Sequence, residues 1–416
     1  MNRLTFAVLL CTPFCFSLAQ AETKQVTVSL SAGPQDRQQT PVKVELTAAQ
    51  ILKDAKSVKV MVGQNGTSLP AQLCGPSLMA SSKDVVQEVH FVVPEMKAGS
   101  TQTVQVILST EAPETAGFQW HDTAGEFAEL RWGEQPVMRY MYQALDESSP
   151  AKREETYKVF HHVFDPADGS RLITKGAGGQ YTHHRGVFFG FNKVSYDEGR
   201  KKCDVWHCKP DAYLSHEGFL VSEAGLVLGR HRVRVDWHGP GKEVFAQEQR
   251  ELTAYRVPGG VLLEFASRVD SKVGPVKLDG DPQHAGFHFR ADNEVAAQTK
   301  GQTYYLRPDG QDKPGATRNW PGLKTHINLP WNVMSFVLGK QRYSTIYLDR
   351  PENPKESRFS ERDYGRFGSY FEYEMNTDNP LVVNYRLWLQ RGEVTGDQAA
   401  LLSGNFTQPI GVVIAK

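Results

Sequence analysis

Apolar and polar residues alternate with a period of two through most of this chain, the pattern of half-buried strands. KQVTVSLSAG from Lys24, SVKVMVGQNG from Ser57, VVQEVHFVVP from Val85 and TQTVQVILS from Thr101 each alternate and end in turn formers. One stretch with helical spacing, TAAQILKDA, opens on Thr47 as an N-cap. Residues 22–112 therefore predict a small β-sandwich. The polar segment TEAPETAG, from Thr110 to Gly117, reads as a linker. Beyond it HRVRVDW from His231, VLLEFASRV, AGFHFRAD, YSTIYLD and LVVNYRLWLQRG keep the strand pattern, and only DQAALLSG resembles a helix. That much antiparallel strand cannot lie in one open twisted sheet, so residues 118–416 predict two large packed sheets or a barrel. The fold class is all-β.

Charge narrows the partners. Basic and acidic residues both number 47, and no long basic block occurs, so no nucleic-acid partner is expected. After the first residues no apolar run reaches bilayer-spanning length, and membrane insertion is not expected. Residues 1–21 have the form of a signal peptide: Arg3, an apolar run from Leu4 to Leu18, then Ala19-Gln20-Ala21 before the cut. A periplasmic or secreted protein follows. Cys11 and Cys15 leave with that peptide, and Cys74, Cys203 and Cys208 remain. The odd number leaves at least one free thiol, while Cys203 and Cys208 either pair across a hairpin or stay buried as small apolar residues.

Reactive side chains concentrate between Gln180 and Glu217, which holds His183, His184, His207 and His216 of the chain's 13 histidines. Imidazole is both a general base near neutral pH and the commonest metal ligand. Neighbours on a strand point to opposite faces, so His183 and His184 share a groove only where the backbone bends. The preceding GAGGQ supplies that freedom. The competing reading is one buried, hydrogen-bonded histidine and one solvated. Arg185 suits an anion clamp, and Asp204 or Glu217 beside His207 and His216 would complete a His/carboxylate metal site. A divalent metal at His183, His184, His207 and His216 is thus a candidate cofactor.

Two further clusters stand out. His288 and Arg290 lie two apart on one predicted strand and share a face, with Phe287 and Phe289 on the other. Trp331, Tyr364 and Arg366 belong to a C-terminal run of aromatics and arginines that suits sugar stacking or, equally, a core. GxSxG elbows, phosphate-cradling loops and the Rossmann fingerprint are all missing, which argues against serine-hydrolase and nucleotide chemistry.

HHRGVFFGF at 183–191, Asp204, Trp206, His216, GDPQHAGFHFR at 280–290, LDRPENP at 348–354 and RDYGRFG at 362–368 together resemble a family of secreted bacterial proteins labelled methane oxygenase PmoA. That label describes a helical membrane subunit, whereas this chain reads as strands. The chain departs from the family pattern at Tyr181-Thr182, where a proline usually precedes the histidines, and at His288. The resemblance implies a β-supersandwich similar to galactose mutarotase, a shape found in mutarotases, some glycoside hydrolases and many polysaccharide lyases.

Residues and resemblance together point to a carbohydrate-active enzyme, a lyase or hydrolase of a glycoside or acidic polysaccharide working by His/Arg acid–base chemistry. His183, His184 or His216 would move the proton with Asp204 nearby, and Arg185 would hold the anionic group. Tyr181, Trp206, His288, Arg290, Trp331, Tyr364 and Arg366 would bind the carbohydrate. Hydrolysis by two carboxylates would have to use Asp204 and Glu217. A non-catalytic glycan-binding protein and a metal-dependent oxidoreductase on His183, His184 and His216 are the alternatives.

Overall fold

The structure, a computed structural model, describes residues 21–63, 66–113 and 116–415. The expected signal peptide, apart from Ala21, lies outside them. Strands Thr23–Ser31, Ser57–Val62 and Thr101–Ser109 form one sheet of the small sandwich, and Arg37–Thr47, Ala71–Cys74 and Val85–Met96 the other. Their alternating apolar positions, among them Val28, Val44, Val60, Val89 and Val106, meet in one core. Strand Gly411–Ile414 joins this sandwich by pairing antiparallel with Thr23–Ser31. The large domain, expected to run to residue 416, therefore stops short of that strand. No helix forms over TAAQILKDA; residues 48–55 are turns and bends. So short a segment is marginal as a helix in water, and Ile51 and Leu52 reach the sandwich core without one.

The large domain is a sandwich of two nine-stranded sheets rather than a barrel. Six strands build the floor of the candidate site: β1 (Gln135–Met141), β2 (Phe160–Val163), β3 (Val187–Phe191), β4 (Ala285–Arg290), β5 (Arg358–Arg362) and β6 (Arg366–Tyr370). They lie in the antiparallel order β5-β6-β4-β3-β2-β1. Phe287 of β4 stacks on Phe265 and Tyr385 of the second sheet, with ring centres 4.5 and 4.7 Å away. Phe189 and Phe367 enter the same core. Each such aromatic contributes about 2–3 kcal/mol through burial.

Strand alternation then sends the even-numbered residues of β3 and β4 to the outer face. There Phe188, His288 and Gly368 stand in register across β3, β4 and β6. A Cβ on Gly368 would lie 2.6 Å from the His288 ring, so the glycine makes room for the imidazole. Gly286, at φ +87°, lets β4 approach β6, where a Cβ would meet the Ser369 carbonyl at 2.0 Å.

Among the described residues two α-helices flank the sheets: α1 (Pro150–Thr156), capped by Ser149, and α2 (Gly396–Thr407), which grows from the expected DQAALLSG and is capped by Thr395. No helix among the described residues is long and apolar enough to cross a membrane. Cys74, Cys203 and Cys208 are buried, free thiols.

Candidate metal centre

Three loops converge over the outer face of β3 and β4. The first is the turn before β3, where Gly178, Gly179 and Tyr181 adopt positive φ and His184 N–H donates to the Tyr181 carbonyl at 2.9 Å. This is the bend that GAGGQ implied, and it puts the His183 and His184 rings side by side, 4.3 Å apart. The second is the tight loop 204–209, closed by paired backbone bonds between Asp204 and Lys209 and anchored by Val205 N–H to the Phe191 carbonyl of β3. The third leads into β4 and carries His284.

Loops two and three use one device twice. Asp204 Oδ1 accepts from the Trp206 and His207 amides, and Oδ2 holds His207 Nδ1 at 2.6 Å. Asp281 Oδ1 accepts from the Gln283 amide, and its carboxylate holds His284 Nδ1 at 3.0 and 3.1 Å. A carboxylate on Nδ1 fixes the ring orientation and leaves Nε2 with a free lone pair. The His207 ring lies 4.3 Å from His183 and 4.8 Å from His284. Ligand atoms of His183, His184 and His284 all fall within 4.8 Å of one another. His183 Nε2 and both nitrogens of His184 are buried without a hydrogen-bond partner among the described residues. Leaving such groups unpaired costs about 1–3 kcal/mol each.

Burial, aided by nearby Lys158, holds His183 neutral down to about pH 2. Burial, with Arg366 next in effect, also keeps His184 well below the usual imidazole range. Neutral imidazoles with free lone pairs are the form that binds metal. Three histidines leave the fourth position of a tetrahedral site open.

Trp206 and Phe188 form the apolar floor, 5.9 and 6.0 Å from the His184 ring. Above lies a cleft of about 510 Å³ lined by Tyr181, His184, His284, Lys300, Arg362 and Tyr364, among others. Tyr181 and Tyr364 have ring centres 5.0 Å apart. Tyr181, Tyr364, His183 and His184 thus gather as the sequence suggested, and His207 joins them.

Other expected site residues lie elsewhere or serve as framework. Arg185 is buried, with its guanidinium bonded to the carbonyls of Thr182, Glu154 and Glu155 and set 4.4 Å from the Tyr157 ring. It ties the histidine turn to α1 and is not an anion clamp. Arg185→Leu is expected to lower stability by about 3 kcal/mol through three lost charge-assisted bonds, read by urea unfolding. A loss of substrate affinity at unchanged stability would restore the clamp reading.

His216 belongs to the edge strand Tyr213–Ala224 of the second sheet and packs among Tyr140, Tyr142 and Phe219. Its Nδ1 lies 3.3 Å from the Tyr140 hydroxyl, so it is removed from both the catalytic and the metal set. Asp204 is committed to His207 and two amides, which leaves it an orienting role rather than a proton-transfer one. His288 spends both nitrogens, Nε2 on the Ala285 carbonyl and Nδ1 on Arg366. Arg366 is buried and also donates to Ser360. Arg290 lies under the Tyr364 ring at 4.8 Å. The shared face of His288 and Arg290 was read correctly, but the histidine turn and fully buried Trp206 cover it. Trp331 packs with Trp388 and Phe406 on the far face of the second sheet, with both sheets between it and the cleft.

Sequence reasoning missed His284, Asp281 and Lys300, and gave Arg362 no role. The available signal was the repeated Asp-x-x-His spacing, in Asp204-Val-Trp-His207 and Asp281-Pro-Gln-His284.

Among solved structures, the chain is similar to a protein in glycosyl hydrolase family 38 from Enterococcus faecalis, at 9% identity and TM-score 0.44 over 94% of this chain and 47% of that one. It is also similar to an alpha-mannosidase from Enterococcus faecalis V583, at 8% identity and TM-score 0.43 over 94% of this chain and 46% of that one. It spans about half the length of either. No curated protein matches it. Residues 128–403, which include the whole histidine cluster, match a family model, and the chain accordingly belongs to DUF6807, a family of unknown function.

Proposed function

We propose that this protein is a metal-dependent hydrolase or lyase of a polyhydroxylated substrate, a carbohydrate first. The metal would be held by His183, His184 and His284, with His207 beside it. The observation that carries the reading is the convergence of imidazoles with buried or free lone pairs, two of them oriented by their own carboxylates. Metal-ligating histidines almost always donate their other ring N–H to a carboxylate, a backbone carbonyl or water.

Fixed cations nearby oppose a metal. One positive charge roughly 8 Å from a dication costs about 4 kcal/mol at an effective dielectric near 20. Asp204 and Asp281 offset two such charges, and structural zinc in zinc-finger peptides contributes about 10–16 kcal/mol, a scale larger than the cost of one or two cations left over.

Asp204 is occupied by His207 and two amides, and Glu217 lies on the edge strand of the second sheet, which disfavours a two-carboxylate glycosidase mechanism through that pair. Bound zinc would supply a water acidified to a pKa near about 7 and would polarise a substrate oxygen. The chain's own part is to hold that position open toward the cleft, keep its underside dry with Trp206 and Phe188, and flank the substrate with Tyr181 and Tyr364. This differs from His/Arg acid–base chemistry in two respects: His183 and His184 would hold the metal rather than move the proton, and Arg185 and His216 take no part.

Elemental analysis after zinc reconstitution and desalting is expected to find about one equivalent per chain. Chelation is expected to abolish turnover on a panel of glycosides and acidic polysaccharides, with zinc restoring it. Less than about 0.2 equivalents retained would reject the metal centre.

A further inference from the structure

The arginines around β5 differ in one respect. Arg307 pairs with Glu361 and Asp312, Arg318 with Asp309 and Asp312, and Arg358 with Glu372. Arg362, half-buried at the cleft wall, has no carboxylate within ion-pair distance among the described residues. With the Asn319 amide oriented so that its nitrogen faces Ser360, both terminal nitrogens of Arg362 donate to the neutral Asn319 oxygen, at 2.5 and 3.0 Å, a partner that a carboxylate would displace. Lys300, on the same cleft, is likewise without an ion pair among the described residues. Beneath them Arg290 leaves Nε and one terminal nitrogen buried and unbonded. Against these cations the cleft offers Asp363, while Asp281 beside it is already bonded to His284 and Asn192.

We infer that this cleft selects substrates bearing a carboxylate, such as uronic acids or other sugar acids, with Arg362 as the fork that receives the carboxylate and Lys300 as a second charge. A planar guanidinium matches a carboxylate through two parallel hydrogen bonds. A neutral sugar would leave the half-buried Arg362 guanidinium without a counter-charge, which penalises it relative to an acid. The volume, about 510 Å³, falls in the range of ligand pockets, about 300–1,000 Å³. The inference deepens the metal-centre reading and rests on it for the position of the reacting bond. Recognition of the acid rests on the cleft alone.

The test is calorimetric titration of the full chain, zinc-loaded and chelator-treated, with galacturonate, glucuronate and mannuronate against galactose, glucose and mannose. At least one acid is expected to bind about tenfold or more tighter than its neutral partner in both forms. Arg362→Gln is expected to erase that preference, Arg362→Lys to keep part of it, and zinc content to stay the same in both variants. If no acid is preferred in either form, the inference is overturned whatever the metal content. A preference that needs zinc and survives Arg362→Gln would place the carboxylate on the metal and also overturn it. A preference without any zinc uptake would sustain the inference while the metal-centre reading fails.

Discussion

His284→Ala is expected to weaken zinc binding by more than about 100-fold and to abolish turnover, with little change in folding free energy. Removing an orienting partner from a metal-bound histidine already weakens binding about 10–100-fold, and losing the ligand itself exceeds that. Stability is spared because His284 is only half-buried, on a loop whose shape comes from Asp281 accepting the Gln283 amide. This separates it from His184, whose ring is enclosed by Trp206 and Phe188 and whose truncation would also open a cavity. Competition against a chromophoric chelator measures the affinity, and urea unfolding of the metal-free protein measures the stability. Unchanged zinc affinity in His284→Ala would remove this histidine from the centre. Asp281→Asn should fall between wild type and His284→Ala, since it leaves the ligand in place and removes the partner that fixes its tautomer.

Stability is expected to fall by at least about 4 kcal/mol between pH 7.5 and pH 5, the share of two histidines of the core outside the cleft, to which the other buried neutral imidazoles add in the same direction. His162 on β2 is held down to about 4 by burial, then by Arg139, with Nδ1 3.0 Å from the Thr174 hydroxyl. His231 is held down to about 3 by burial, then by His216, and its Nε2 lies 2.8 Å from that of His161. In the unfolded chain both take up a proton near pH 6.5. Below that pH the unfolded state binds protons that the native state excludes, so stability drops as pH falls toward the native values. Each group contributes about 1.4 kcal/mol per pH unit, or about 2 kcal/mol at pH 5. Above pH 6.5 neither contributes a slope. Urea midpoints across this range are the measurement, and a flat profile would mean that these imidazoles are charged or solvated in the folded protein.

The strands were legible because their signal is local. Alternating Val and Leu at Val26, Val28 and Leu30, or at Val104, Val106 and Leu108, need no partner to be read. Which face of a strand stays wet depends on loops distant in sequence. His288 and Arg290 share a face as their spacing requires, yet the turn at His183 and the loop holding Trp206 bury that face. Composition singled out His183 and His184, and the glycines before them explain the bend. His216 looked equally reactive in sequence, but its strand belongs to the edge of the other sheet, a matter of topology that spacing cannot convey. His284 was passed over because Asp281 reads first as a turn former, and here the turn is itself the means of aiming an imidazole.

The pairing of Val28 with Ile414 joins segments near opposite extremes of the numbering, with the whole large domain between them. Contacts so distant along a polypeptide form slowly. Until they form, Thr23–Ser31 presents unpaired amides and carbonyls to any extended peptide nearby. Completion of the small domain is therefore timed by the arrival of residues beyond 410, and a nascent or trimmed chain lacking them would be prone to sticking edge to edge.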